Sequence, residues 1–338
     1  MYDSAHLICM SLRFVTFSRN VFIPLTNICR NRCGYCGFRR DIDHPEAKLL
    51  NPAEIIDILE RGSLAGCSEA LFTFGERSQE VDGFMPLLHD IGYDSMIDYL
   101  MEMCRLSLGS GLLPHSNPGV LEKEELKKLK PYNASMGLML ETLGIIDAHR
   151  RSPGKVPEAR LATIISAGEL RIPFTTGLLV GIGETQEDRV RSLSAIRDVH
   201  EKYGHIQEVI IQNFIPKPGT EMSSHPSPGM KEMIETVSLA REILQDDVAI
   251  QVSPNLIHPQ ELILSGASDL GGISPETIDH INPESAWPAL DELQVMAGVR
   301  LRERLPVYPQ YIRRGWYSNE IAPLIFALAD REGFRKPY

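Results

Sequence analysis

Cys29, Cys33 and Cys36 stand in the spacing C-x3-C-x2-C within NVFIPLTNICRNRCGYCGFRR, residues 20–40, directly after the short apolar run Val21, Phe22, Ile23 that reads as a strand. Three thiolates on one loop can converge on one metal centre. Cysteines this closely spaced hold iron–sulfur clusters, usually four to a cluster, whereas structural zinc generally takes a second ligand pair further along the chain. No fourth thiol follows here: residues 37–66 contain His44 and no cysteine. A [4Fe–4S] cluster on three cysteines keeps one iron open, and an open coordination position separates catalytic from structural metal sites. Two other readings of the same residues are a zinc knuckle that borrows a distant histidine and a set of ordinary buried thiols. Gly34 and Gly37 suit a loop wrapped closely around a cluster.

The elements around this loop must carry further polar groups to its side. Strands are expected at 69–74, 112–115, 134–140, 173–180, 208–215 and 248–252, with a very short one near 268–272. Helices are expected between them at 52–61, 92–107, 121–130, 157–168, 186–203, 229–245 and 258–265, and two more at 288–304 and 318–332. Pro52 after Asn51 suits the first helical turn. About eight strand–helix units imply a parallel sheet closed into an α/β (β/α)8 TIM barrel. The cysteine loop, Glu76, Glu141 and the loop 181–185 each follow an expected strand. That places all four at the C-terminal face, where barrel active sites lie.

Composition sets the frame. At 43% hydrophobic and 23% charged residues, the 338-residue chain is an ordinary globular protein with a large core. A net charge of −11 gives no basic footprint for nucleic acid and argues against an anionic membrane partner. Six cysteines, three of them bunched, suit a reducing compartment where thiols serve metals. The N-terminal MYDSAHLICMSLRFVTFSRN has no basic region followed by a long apolar core, and no 18-residue apolar run occurs, so a cytoplasmic location is expected. No linker divides the chain. One domain, 1–338, is expected, with a core of about 15–250 and a barrel-completing segment of about 251–338.

The cysteine motif, with Tyr35 before its last cysteine, resembles the signature of the radical S-adenosylmethionine (SAM) superfamily. The resemblance implies one [4Fe–4S] cluster on Cys29, Cys33 and Cys36, with SAM chelated at the open iron and cleaved to a 5′-deoxyadenosyl radical. It also assigns SAM contacts. Thr73-Phe74-Gly75-Glu76 resembles the motif that receives the methionine amino group, partly through backbone, and Glu141 in LMLET corresponds to the acidic residue that accepts the ribose hydroxyls. Arg160 in PEARLATI corresponds to an arginine that pairs with the SAM carboxylate; a surface ion pair is the other reading. GLLVGIGET, 177–185, resembles the segment on which adenine packs, against Val180 or Ile182.

Further segments, SRNVFIPLTNICRNRCGYCGFRR, ALFTFGER, IPFTTGLLVGIGET, IQNFIPKPGT and SDLGGISPETIDHINPESAWP, resemble the 7,8-didemethyl-8-hydroxy-5-deazariboflavin synthase family over about residues 18–290. What that family implies is a lyase step of coenzyme F-420 biosynthesis. A partner radical SAM enzyme joins tyrosine to 5-amino-6-(D-ribitylamino)uracil, and the 4-hydroxybenzyl adduct is then cyclised with loss of ammonia. An external electron donor and a small-molecule substrate are implied with it. The acid or base is not assigned; Tyr35, His149, His258, Asp269 and Asp279 are candidates by position alone. Arg39 and Arg40 flank the cysteines, either to tune a cluster through positive charge or as a solvated face. Cys67 and Cys104 read as packing thiols. The stretch LGIIDAHRRSP after Glu141 departs from the family pattern. Other readings of the chain are a biotin-synthase, hydrogenase-maturation or menaquinone-cyclase relative, or a non-catalytic iron–sulfur or zinc protein.

Overall fold

The structure, a computed structural model, describes residues 14–337. The expectation that the N-terminus forms no targeting segment therefore falls largely outside the described residues. The chain opens with β1 (Val15–Ile23), crosses through the cysteine loop to α1 (Pro52–Leu64), and returns as β2 (Glu69–Thr73). Asn51 starts α1 as a full capping box: its side chain accepts from Ala53 N and Glu54 N, and Glu54 accepts from Asn51 N. Two helices follow, α2 (Phe84–Asp90) and α3 (Met96–Gly109), where one was expected over 92–107. Gly92 at φ +92° and the Ser95 cap separate them.

Next come β3 (Leu113–Asn117), α4 (Lys123–Leu129), β4 (Ser135–Gly137), α5 (Pro157–Glu169), β5 (Phe174–Val180), α6 (Gln186–Tyr203) and β6 (Ile206–Asn213). After α7 (Met230–Ile243), β7 (Ala249–Gln251), α8 (Gln260–Leu264) and β8 (Asp269–Ile273) complete the alternation. All strands pair in parallel, and β1 meets both β2 and β8, so the eight strands close into a barrel. The (β/α)8 expectation holds.

The end of the chain departs from expectation. The helix expected over 288–304 stops as α9 (Leu290–Ala297), because Gly298 adopts φ +65° and terminates it. Residues Leu301–Glu303 then form β9, parallel to Val15–Phe17 of β1. Val15 N donates to Arg300 O, Arg304 N to Phe17 O and Ser68 N to Arg19 O, so β9 and β2 occupy successive halves of one edge of β1. From Arg304 the chain crosses beneath the barrel: Pro306 O accepts from Ser135 Oγ at 2.6 Å and from Gln207 Nε2 at 2.9 Å. After α10 (Pro309–Arg313), the helix expected over 318–332 is only α11 (Ala322–Leu328), since the chain folds back through Gly333 at φ +91° to pair Ala329 with Arg335.

The side of each strand that faces the axis decides where the core sits. On β1 the odd residues point outward: Val21 packs on α1, where a methyl on Gly62 would come 2.2 Å from its Cγ1. The even residues Thr16, Ser18 and Asn20 therefore face the axis and are buried there. Glu69, His115, Thr175 and Glu208 join them. Barrel interiors of this class are usually filled with branched apolar side chains; this one is polar and keeps an open cavity instead.

Candidate active site

The cavity has a volume of about 400 Å³, within the range of ligand sites. Its mouth is formed by the cysteine loop and the strand ends, and it descends along the axis to Glu69, Glu208 and Arg304. Cys29, Cys33 and Cys36 all line it. The loop that carries them is tied down on two sides. Arg32 N donates to Arg151 O at 3.2 Å and Gly34 N to Ala148 O at 2.8 Å. Gly75 lies so close that a methyl there would come 1.9 Å from Ile28 O and 3.0 Å from Cys29 Cα.

Burial pushes the Cys29 thiol up to about 12, aided by the fields of Cys36 and Cys33. Burial also raises Cys33, while Lys155 and a 3.3 Å hydrogen bond from Ser152 Oγ pull the other way. These thiols feel one another across the cavity mouth, and three thiols on one loop suit a [4Fe–4S] group, which takes each at a different iron.

Beside the thiols lies a buried charge network. Glu76 ends the loop after β2, packed so tightly that a methyl on Gly154 would fall 1.4 Å from its Oε1 and one on Gly119 2.2 Å from its Cγ. It accepts from Asn31 Nδ2 at 2.9 Å, Val120 N at 3.1 Å, Arg30 Nη2 at 3.2 Å and Arg160 Nη1 at 3.4 Å. Burial alone would raise its pKa, but Arg160, Lys155 and these hydrogen bonds outweigh that and keep it below the usual carboxylate range. Glu141 sits at φ +66°, a strained setting for a side-chain-bearing residue. It is held by Lys155, by Tyr35 and by His149 Nε2 at 3.0 Å, with Arg160 Nη2 3.8 Å away. Burial again opposes ionisation, and Lys155, His149 and Arg160 overcome it, so Glu141 stays well below its ordinary pKa.

Arg160 reaches this network from α5, where its Nε also donates to Met139 O at 2.5 Å. That bond occupies the backbone just after β4 and helps explain why the strand expected over 134–140 pairs regularly only through Gly137. The surface ion pair considered for Arg160 is thus not what the fold builds. Lys155, to which the sequence assigns no role, is largely buried, its side chain 13% exposed. Its charge persists because Glu141 and Cys33 outweigh burial and the repulsion of Arg160. The RSPGK stretch contained the residue, but nothing in its spacing pointed inward.

The remaining candidate residues take different places. Val180 does not line the cavity; its neighbour Leu179 does, because inward and outward positions alternate along β5 and Thr175 faces in. Ile182 does not line it either. It joins Ile146, Ala148 and Phe214 in a small apolar cluster on which Tyr35 packs. Of the acid–base candidates, Tyr35 and His149 join the Glu141 network, with 3.2 Å between Tyr35 Oη and His149 Nε2. Asp269 lies at the floor, paired with Arg304 at 2.6 and 2.9 Å. Asp279 lines the cavity, but its carboxylate is engaged by Asn255, Ile281 and Asn282. His258 is exposed. Arg39 lines the cavity and pairs with Asp41, while Arg40 bonds Glu46 and Gly37 O. Cys67 donates to Asn20 O at 3.2 Å and Cys104 lies among Ser116 and Asn133, both in packing positions.

Three thiols at the mouth of one cavity, beside two ionised carboxylates and two enclosed cations, fit a cluster and a zwitterionic, ribose-bearing cofactor. A family model described as the radical SAM superfamily matches residues 23–196. That family implies a [4Fe–4S] cluster and SAM, and this chain uses both. The crystal structure of HydG, a maturase of the [FeFe]-hydrogenase, superposes with a TM-score of 0.70 over 97% of this chain and 72% of that one, at 18% identity, a likeness of fold alone. The 7,8-didemethyl-8-hydroxy-5-deazariboflavin synthase of Methanococcoides burtonii is 60% identical over 324 residues, 96% of this chain and 98% of that protein. The protein of the same name from Methanosarcina mazei is 58% identical over 323 residues, 95% and 96% of the two chains. Identity at this level along nearly the whole length places the chain, within the radical SAM superfamily, in the family of 7,8-didemethyl-8-hydroxy-5-deazariboflavin synthases.

Proposed function

We propose that this enzyme is a radical SAM lyase that closes the deazaflavin ring. It takes the adduct 5-amino-5-(4-hydroxybenzyl)-6-(D-ribitylimino)-5,6-dihydrouracil, forms 7,8-didemethyl-8-hydroxy-5-deazariboflavin and releases ammonia, a step of coenzyme F-420 biosynthesis. The observation that carries this reading is the 60% identity to a protein of that name across 96% of the chain. The cavity supports it, being open, polar and continuous from the cysteines to the barrel floor.

Cys29, Cys33 and Cys36 hold the cluster, and Glu141, Lys155 and Arg160 hold SAM. When bound, the cluster and SAM supply one-electron chemistry that removes a hydrogen atom from the substrate. The protein's part is to bind, orient and exclude water. Arg160 and Lys155 offer cations for the SAM carboxylate, and Glu141 offers acceptors for the ribose hydroxyls. Glu76, already engaged by four donors, acts as the post that sets Asn31 and Arg160. Tyr35 and His149, on Glu141, form a proton-carrying chain at the mouth. The adduct comes from a partner radical SAM enzyme and the electron from an external donor. A reducing, cytoplasmic setting keeps the thiols available; among the described residues no helix is long and apolar enough to cross a membrane.

The test is an anaerobic reaction of cluster-loaded protein with dithionite, SAM and the adduct, generated in place by the partner enzyme. Fluorescent deazaflavin together with 5′-deoxyadenosine is the expected result. Deoxyadenosine without deazaflavin would move the chain to another radical SAM reaction.

A further inference from the structure

Most polar side chains deep in the barrel are paired with one another. His115 Nδ1 lies 2.6 Å from Ser135 Oγ, and its Nε2 lies 3.3 Å from Asn117 Oδ1. Asn117 Nδ2 donates to Thr73 Oγ1 at 3.2 Å. Glu69 is bonded by Ser18, and Glu208 by Thr175 at 3.1 Å and Arg304 at 3.4 Å. Asn20 stands apart. It is 1% exposed and lines the cavity, yet neither its Nδ2 nor its Oδ1 has a hydrogen-bond partner. Both atoms stay orphaned whichever way the amide is turned.

A buried carboxamide left unpaired costs stability, and such exceptions call for a ligand or another specific cause. The surrounding fold makes room for this one. Asn20 lies across Gly272 of β8, where a methyl would come 2.1 Å from Nδ2. Gly272 has no positive φ, so its backbone does not need glycine; the amide beside it does. Gly272 belongs to SDLGGISPETIDHINPESAWP, a stretch for which the cluster and SAM sites leave no role.

We propose that Asn20 is a substrate-recognition residue whose carboxamide pairs with a cyclic cis-amide edge, the ring N–H and adjacent C=O of a pyrimidinedione. A carboxamide offers one donor face and one acceptor face in a single plane, and a lactam or imide edge answers both at once. A flexible polyol chain would have to be ordered to do the same, at a cost in entropy. The inference rests on the proposed deazaflavin reaction, whose substrate and product both carry a pyrimidinedione. It assigns that ring to the deep end of the cavity, beneath the cysteine loop.

Two measurements test it. On the protein alone, Asn20→Leu should raise the melting temperature, since an unpaired buried amide is replaced by an apolar group of similar shape. A fall would mean that Asn20 has a structural partner, and would overturn the proposal. On cluster-loaded enzyme, the Kd for 7,8-didemethyl-8-hydroxy-5-deazariboflavin, read by its fluorescence, should rise about tenfold to a hundredfold in Asn20→Leu, the loss of two neutral hydrogen bonds. Gly272→Ala, which displaces the amide without altering Asn20, should do likewise. The product methylated at the ring N–H should bind wild type and Asn20→Leu equally weakly. Equal affinity of wild type and both variants for the unmethylated product would sink the inference while leaving the reaction intact. A wild type that neither binds nor makes the deazaflavin would instead refute the reaction, and the inference with it.

Discussion

Arg160 and Glu76 meet across the cavity mouth, Nη1 of the arginine 3.4 Å from Oε2 of the glutamate, with side chains only 3% and 6% exposed. One residue comes from a helix and the other from the loop after β2, 84 positions earlier. Their pairing, with Glu141 at 3.8 Å on the other guanidinium nitrogen, joins the two carboxylates expected to serve SAM.

Removing that cation should be costly. Arg160→Met leaves two buried carboxylates short of a partner, a loss of about 3–5 kcal/mol when one member of a buried pair is deleted. Glu76 and Glu141 have depressed pKa values in the folded state, so their contribution is present above the ordinary carboxylate range and is lost as pH falls through the depressed values. Without Arg160 the loss should begin at higher pH. Urea denaturation at a series of acid pH values reads both effects, and an unshifted acid limb would show that Arg160 does not hold these groups ionised.

Lys155, the partner of Glu141, is proposed as a cation for the SAM carboxylate. Lys155→Met should weaken SAM binding by about tenfold to a hundredfold, the worth of one charge-assisted hydrogen bond. Lys155→Arg should restore part of it. Iron content is the control, because Lys155 is not a cluster ligand. Equal SAM affinity in wild type and Lys155→Met, measured by equilibrium dialysis, would remove Lys155 from the site.

The cysteines divide cleanly. Cys33→Ala should lose the cluster absorbance and 5′-deoxyadenosine formation together. Cys104, fully buried beside Ser116 and Asn133, should tolerate Ala with retention of both and only a small drop in stability. Iron analysis and deoxyadenosine release check the pair; a full cluster in Cys33→Ala would overturn the ligand assignment.

The barrel floor should show its own pH dependence. Burial pushes the Glu208 carboxyl up to about 8, against Arg304 and with Asp269 and Glu69 adding to the rise. A folded pKa above the unfolded one means stability that is complete below about pH 4.5 and lost as pH rises through 8. Glu208→Gln removes that titration. Its urea midpoint should therefore fall less than that of wild type between pH 5.5 and pH 8.

The cysteine spacing and the strand–helix alternation determined, from sequence alone, the cluster loop, the barrel and the order in which site residues follow strands. Both are local signals: a loop of eight residues, and changes in hydrophobic period within one element. What the sequence could not supply was facing. Strands enclosed on both sides carry long apolar runs, as in IPFTTGLLV, so their inward parity is invisible until the barrel sets the register. That is why Leu179 rather than Val180 meets the cavity. The same limit hid Asn20, whose neighbours read as a plain apolar strand. Long-range pairing decided the rest. Residues 301–303 became a strand because the lower half of one β1 edge was free of β2. Lys155 became an enclosed cation because the loop after β4 folds over Glu141. Burial and the charges brought near by closure, neither of them properties of a short segment, set the protonation states on which the site depends.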